Sequence, residues 1–159
     1  GSMLDELDTA IIAKLQEDAR RPTTQIAREL GHPTATVRDR IKRLEDRGVI
    51  QGYTAVVDMA KVSLPIKALV HISTSGRAVK PDAFLEAIGS IPEVASADLV
   101  TGNYEAMVTL YVRDVEHLSH LLYDQLTQIP GVVGTSTSIA LIRRKWQIPR
   151  PSDSPPSPA

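Results

Sequence analysis

Residues 23–50, TTQIARELGHPTATVRDRIKRLEDRGVI, decide the reading of the N-terminal part of this chain. Ile26, Ala27 and Leu30 recur at the spacing of one buried face on a short helix. Gly31 then punctuates the stretch. Val37, Ile41 and Leu44 follow at i, i+4 and i+7, a narrow apolar seam on a second, longer helix. At about 100° per residue, Ala35, Thr36, Arg38, Asp39, Lys42 and Arg43 fall on or beside the opposite face. Gly48 ends that helix where a left-handed residue is wanted, and Val49 and Ile50 return to the core. Two helices joined by a short turn, the second with Arg and Lys turned outward, have the form of a major-groove reader. A plain helical hairpin with a solvated charged face has the same pattern.

Upstream, Leu4, Leu7, Ile11 and Leu15 form a third helical stripe, with Asp5 or Asp8 as its N-cap. That stripe needs a partner, so the expectation is a three-helix unit of winged helix-turn-helix type over residues 4–51. Pro22 starts the middle helix, with Thr23 or Thr24 near its cap. Residues 52–65 read as a hinge, with Tyr53–Asp58 as a linking strand and Pro65 closing the connection.

Downstream the punctuation repeats. Ile91-Pro92-Glu93-Val94 and Ile129-Pro130-Gly131-Val132 each follow an amphipathic run and precede a β-prone one. The first unit reads strand 66–74, helix 81–90, strand 94–101; the second reads strand 104–112, helix 115–128, strand 132–142. Gly102-Asn103 between them suits a tight hairpin. The result is βαββαβ, a ferredoxin-like layer over residues 66–145, and an α+β chain as a whole. Helices then cover one sheet face. The other is expected to carry Leu69, His71, Ala97, Leu99, Val108 and Leu110, or the complementary alternation, and so to need a partner copy.

Bulk properties narrow the function classes. The chain has 159 residues, 42% hydrophobic and 23% charged, with a formal net charge of −1 and no cysteine. Bulk attraction to nucleic acid is excluded, and any basic surface is local. Residues 34–47 hold five basic side chains against three acidic ones, a modest excess, so useful affinity requires at least two copies. Disulfides, a thiol nucleophile and Cys-ligated zinc are all ruled out. Gly1-Ser2 reads as a cloning remnant ahead of Met3, with no secretory signal after it. The longest uncharged stretch, 125–142, contains Pro130, Gly131 and Gly134 and is no membrane span. A cytoplasmic protein without membrane association is expected. Residues 146–159, rich in Pro and Ser, read as a disordered tail.

His117 and His120, with Glu116 and Asp124 nearby, have metal-like spacing but lack a clear third ligand, so a solvated helix face is the reading and no metal or cofactor is expected. His71 reads as a core or interface histidine, and Trp146 as packing where the last strand ends.

The series Leu4-Asp5-x-x-Asp8, Ile11, Leu15-Gln16, Ala19-Arg20, Ile26-Ala27, Leu30-Gly31, Val37, Arg40-Ile41-x-Arg43-Leu44-Glu45, Gly48-Val49-Ile50 and Gly52-Tyr53 resembles the Lrp/AsnC, or feast/famine, transcription regulators. Val100-Thr101-Gly102-Asn103-Tyr104-Glu105, and Gly131-Val132 followed by Thr135 and Thr137, resemble that family's effector domain. The resemblance spans Leu4 to about Lys145. It implies a regulator of transcription that binds double-stranded DNA and forms homodimers assembling further, often to octamers. It also implies an amino-acid or related small effector held between subunits near the hairpin. By the same resemblance Thr101, Gly102, Asn103, Tyr104, Glu105, Thr135 and Thr137 are the effector positions. Gly102 would let backbone amides approach a carboxylate, Asn103 and Thr137 would donate to it, and Glu105 would take an ammonium. On the DNA side Thr34, Thr36, Arg38 and Asp39 are the expected base readers, with Lys42, Arg43 and Arg28 on phosphates. Arg40 is expected to pair with Glu45 or Asp39.

Departures from the family pattern are local. The hairpin reads Gly-Asn-Tyr-Glu where the family usually has Gly-Asp-x-Asp. Pro33 stands where Ser is common, leaving Thr34 as the cap or Pro33 as the first helical residue. Ser63 takes the place of a linker glycine. Two other classes share this outline. Sirohaem decarboxylases also resemble the family and would need His71 and Arg77 to converge with others on a tetrapyrrole. An architectural DNA-binding protein would lack an effector altogether.

Overall fold

The structure, a computed structural model, describes residues 4–76 and 80–144. Trp146, Arg77 and the tail reading at 146–159 lie outside the described residues. Contacts divide the chain between Ala55 and Val56 into two compact units.

The first unit is three helices, α1 (Glu6–Glu17), α2 (Thr23–Leu30) and α3 (Thr34–Asp46). Ile11, Ile26, Ala27, Val37 and Leu44 are its buried core, with Leu4, Leu7, Leu15, Leu30, Ile41 and Ile50 packed around them. Each helix end has a local cause. Asp5 caps α1 through a capping box: its Oδ1 accepts the Asp8 N–H at 2.8 Å, and Asp8 Oδ2 accepts the Asp5 N–H at 3.2 Å. Gly31 ends α2 at φ +69°, a conformation cheap only without a Cβ, and this turns the chain into α3. Pro33 neither joins α3 nor yields the cap to Thr34. It occupies the N-cap itself, extended at φ −61°, and its carbonyl takes the Val37 N–H at 3.2 Å. At the far end of α3, Val49 and Ile50 donate back to the Leu44 carbonyl. Ile50 packs on the core but Val49 stays 41% exposed, contrary to its expected burial.

Arg40 has a different partner from the one expected. Its Nη1 donates to the carboxylates of both Asp5 and Asp8, the latter at 3.1 Å, and so ties α3 to the capping box of α1. The Asp8 N–H, and after it the Arg40 guanidinium, hold the Asp5 carboxyl below its ordinary range. Asp8 is buried, and these contacts satisfy it. Lys14 and Arg21 meet Glu29 at 3.0 and 3.8 Å, joining α1 and its following turn to α2.

Among the described residues of this unit there is no strand and no β wing. Tyr53–Asp58, expected as a linking strand, forms no ladder among the described residues, and Tyr53, Val56 and Val57 stay 50%, 74% and 48% exposed. Its β-prone residues have no neighbouring strand among the described residues to bond with. A single 3₁₀ turn, Met59–Val62, follows, ended by Ser63 at φ +68°. Ser63 therefore adopts the left-handed conformation that glycine takes most cheaply, at a cost of about 1 kcal/mol.

The second unit is β1 (Ile66–Thr74), α4 (Pro81–Gly89), β2 (Val94–Leu99), β3 (Ala106–Val112), α5 (Val115–Asp124) and β4 (Val132–Ile139), with a 3₁₀ turn at Leu126–Gln128. The sheet order is β2-β3-β1-β4, every neighbour antiparallel. This is the βαββαβ layer the repeat implied. Ala68, Val70 and Ile72 alternate inward on β1 and pair with Leu110, Val108 and Ala106 on β3. Phe84, Ile88, Leu118 and Leu121 of the helices close over them.

This register corrects the assignment of the open face. Directly opposed residues share a face, so Val108 and Leu110 lie under the helices with Val70 and Ala68, and Ala97, opposite Val108, joins them. Leu99, opposite Ala106, is on that side too, and the open face carries Leu69 and His71, as expected, with Met107 and Tyr111. The hairpin is also longer than two residues. β2 stops at Leu99 and β3 starts at Ala106, and Val100 N–H bonds to the Glu105 carbonyl at 2.9 Å, closing a loop around Thr101–Tyr104.

Candidate functional site

On α3 the apolar seam fixes which side chains face outward. Ala35, Arg38, Asp39, Lys42 and Arg43 are all exposed, whereas Thr34 and Thr36 flank the seam and are half-buried. Arg28 on α2 is exposed as well. Lys42 Nζ meets Asp46 Oδ2 at 3.0 Å, an exposed pair one turn apart that contributes little to stability. Arg28, Arg38 and Arg43 hold no ion pair among the described residues, so their charge is available to a polyanion. α3 thus presents two uncommitted guanidinium groups and one weakly tethered ammonium, together with the carboxylate of Asp39, and α2 adds the guanidinium of Arg28. Arg40, basic in sequence, is withdrawn from this surface by Asp5 and Asp8.

The expected effector positions fall into four places. Thr101, Asn103 and Tyr104 line one cleft of about 730 Å³ with His71, Leu99, Val100 and Met107. The His71 and Tyr104 rings sit 5.0 Å apart at 47°. Glu105 lines a second, smaller cleft of about 140 Å³ with Thr74, Gly76, Pro81, Phe84 and Leu99. Leu99 borders both. Gly102 sits at the loop tip with φ +119°, where a side chain would strain the backbone. Thr135 and Thr137 are elsewhere: they pair with Ile72 and Val70, on the helix-covered side of β4, with β1 between them and the hairpin strands. Within one copy they do not join the hairpin residues. The pattern missed His71, Leu99 and Met107 as wall residues, since their convergence depends on strand register.

His117 departs from the solvated-face reading. It is buried; its Nδ1 accepts the Arg113 N–H at 3.0 Å and its Nε2 faces Glu93 Oε1 at 3.3 Å. Asp114 caps the same helix through the His117 N–H at 2.7 Å. His117 therefore fastens the start of α5 to the start of β2. His120 is exposed beside Glu116 and Asp124. No group of three or more metal-ligating side chains gathers among the described residues.

A helix-turn-helix unit with a free basic face, followed by a βαββαβ unit with clefts at its β2–β3 hairpin, matches two family models. The AsnC-type helix-turn-helix domain covers residues 4–45, and the Lrp/AsnC ligand binding domain covers residues 67–147. The chain belongs to the Lrp/AsnC family. Among its relatives, the transcriptional regulator AzlB of Bacillus subtilis is 32% identical over 154 residues, 96% of this chain and 98% of that protein. The regulator LrpA of Pyrococcus horikoshii is 31% identical over 146 residues, 90% of this chain and all of its own length. Among solved structures, the leucine response regulatory protein LrpA of Mycobacterium tuberculosis superposes with a TM-score of 0.83 at 27% identity, covering 92% of this chain and 99% of that one. A transcriptional regulator of Neisseria meningitidis, solved as a complex with L-Met, gives 0.80 at 26% identity over 92% of this chain and 97% of that one. This Lrp/AsnC chain is a DNA-binding transcriptional regulator with a ligand-binding domain. No helix among its described residues is long and apolar enough to cross a membrane.

Proposed function

We propose that this regulator reads duplex DNA with the outward face of α3 and that an amino acid held at the β2–β3 hairpin tunes this binding. The observation that carries the DNA half is the exposed, unpaired state of Arg28, Arg38 and Arg43 beside Asp39 and Lys42. Arg38 and Asp39 reach base edges, joined at the helix margin by Thr34 and Thr36, while Arg28, Lys42 and Arg43 hold phosphates. One helix neutralises too few phosphates to bind well, so two copies present two such helices. The open sheet face, with Leu69, His71, Met107 and Tyr111, is the surface on which copies pair in the cytoplasm.

The amino-acid half rests on the hairpin. Backbone amides around Gly102 and the Asn103 side chain suit an α-carboxylate, and Glu105 suits an ammonium group. His71, Leu99 and Met107 supply an apolar wall for a side chain. Thr135 and Thr137 contribute only across an interface between copies. The relative solved with L-Met supports an amino acid as the ligand class. Binding there would favour one arrangement of copies over another and so change the spacing of the recognition helices.

Titration of the protein on its cognate duplex with the twenty amino acids tests this. At least one should shift affinity or stoichiometry, and Glu105→Gln should blunt the shift by about tenfold in effector concentration while leaving effector-free DNA binding unchanged. Tight duplex binding that ignores every amino acid would contradict the effector half and favour an architectural role.

A further inference from the structure

The centre of the outward face of α3 is not uniformly basic. Opposite Val37, Ile41 and Leu44, the helix places Ala35, Asp39, Lys42 and Asp46, all exposed. Lys42 and Asp46 are joined at 3.0 Å, an exposed pair that gives the Asp46 carboxylate a partner. Asp39 is different: its carboxylate makes no hydrogen bond or ion pair among the described residues, and Arg43, one turn further on, does not close onto it. Resting on the reading of α3 as the groove-facing helix, this leaves a bare negative charge aimed at a polymer carrying one negative charge per ~1.7 Å of its axis. Such a charge opposes binding unless the DNA offers it a donor. In the major groove the donors are the N4 amino group of cytosine and the N6 amino group of adenine. On the side away from the paired base, adenine N6 is flanked by the N7 lone pair, which repels the second carboxylate oxygen, whereas cytosine N4 is flanked by the C5 hydrogen; on the other side each has a partner acceptor, thymine O4 or guanine O6.

We infer that Asp39 is a cytosine reader: its carboxylate accepts from the N4 amino group of one cytosine in each half-site and sets the base at that position. Neighbouring Ala35, one turn earlier, leaves room for the base edge to approach. Asp39 also acts against wrong sequences, because every site lacking the donor leaves the carboxylate unpaired among phosphates.

Selection from a randomised duplex pool at fixed salt, with the full-length wild type, Asp39→Asn and Asp39→Ala run in parallel, tests the assignment. Asp39 is exposed on α3, and circular dichroism of each variant confirms that the fold is kept. The wild type should enrich cytosine at one position per half-site. Asp39→Asn, whose amide matches the N6/N7 edge, should move that position to adenine. Asp39→Ala should lose about tenfold discrimination there, keep the preferences at other positions, and bind unselected DNA more tightly. The same base preferred at every position by all three proteins would overturn the assignment while leaving α3 as the reader. No enrichment by the wild type at all would overturn both the assignment and the reading of α3 on which it rests.

Discussion

Ile26→Ala should unfold the helix-turn-helix unit at physiological temperature and abolish duplex binding while the sheet unit stays intact. Ile26 is fully buried among Ile11, Ala27, Val37 and Leu44. Removing three of its side-chain carbons costs about 2–5 kcal/mol in a core that cannot collapse around the gap. A unit of some 50 residues has little stability to lose, commonly no more than about 5 kcal/mol. The sheet unit buries a separate set, including Val70, Ile72, Ile88 and Leu110, and shares no core residue with the first. Hydrogen exchange resolved by peptide should therefore show α1, α2 and α3 exchanging freely, with β1 and β3 as protected as in the wild type. Equal loss of protection in both units would show that they fold as one.

The second large effect concerns salt. If two copies each place Arg28, Lys42 and Arg43 on phosphates, log K should fall against log salt with a slope of roughly −5. Affinity would then drop about 10³-fold between 50 and 200 mM salt. Substituting all three with alanine should remove most of that slope and weaken every sequence alike, since phosphate contacts carry no sequence information. All three side chains are exposed, so the fold should survive. Fluorescence anisotropy across a salt series reads this out, and an unchanged slope in the triple variant would place the phosphate contacts on other residues.

Much of this architecture was legible because its signals are local. Asp5 with Asp8 three residues on, Gly31 between two apolar periodicities, and the repeated Ile-Pro-x-Val punctuation each fix an element boundary within a few residues. What escaped the sequence depends on partners far along the chain. Arg40 finds Asp5 and Asp8, 35 and 32 residues upstream, and no local spacing announces such a pair. His117 lies on an apparently solvated face of its amphipathic helix yet is buried against Glu93, 24 residues away. The face of Val108 and Leu110 required the β1–β3 register, since an alternating strand reads equally well with either face inward. Tyr53–Asp58 carries strand propensity but has no ladder among the described residues, because propensity measures fit to a sheet and not its presence.

The candidate site divides in the same way. The DNA-facing residues of α3 followed from helical geometry and stand exposed together, apart from Thr34 and Thr36 at the half-buried margin. The effector positions came from the family pattern, which says nothing of sheet order. The structure accordingly separates Thr135 and Thr137 from the hairpin and splits Glu105 from Thr101, Asn103 and Tyr104 between two clefts.

Backbone amide shifts of the labelled protein, followed while a cognate duplex is added, test the central claim most directly. The account predicts the largest changes along 35–43 of α3, with a smaller set near Arg28. Changes confined to the sheet unit or to α1, with α3 unmoved, would contradict it.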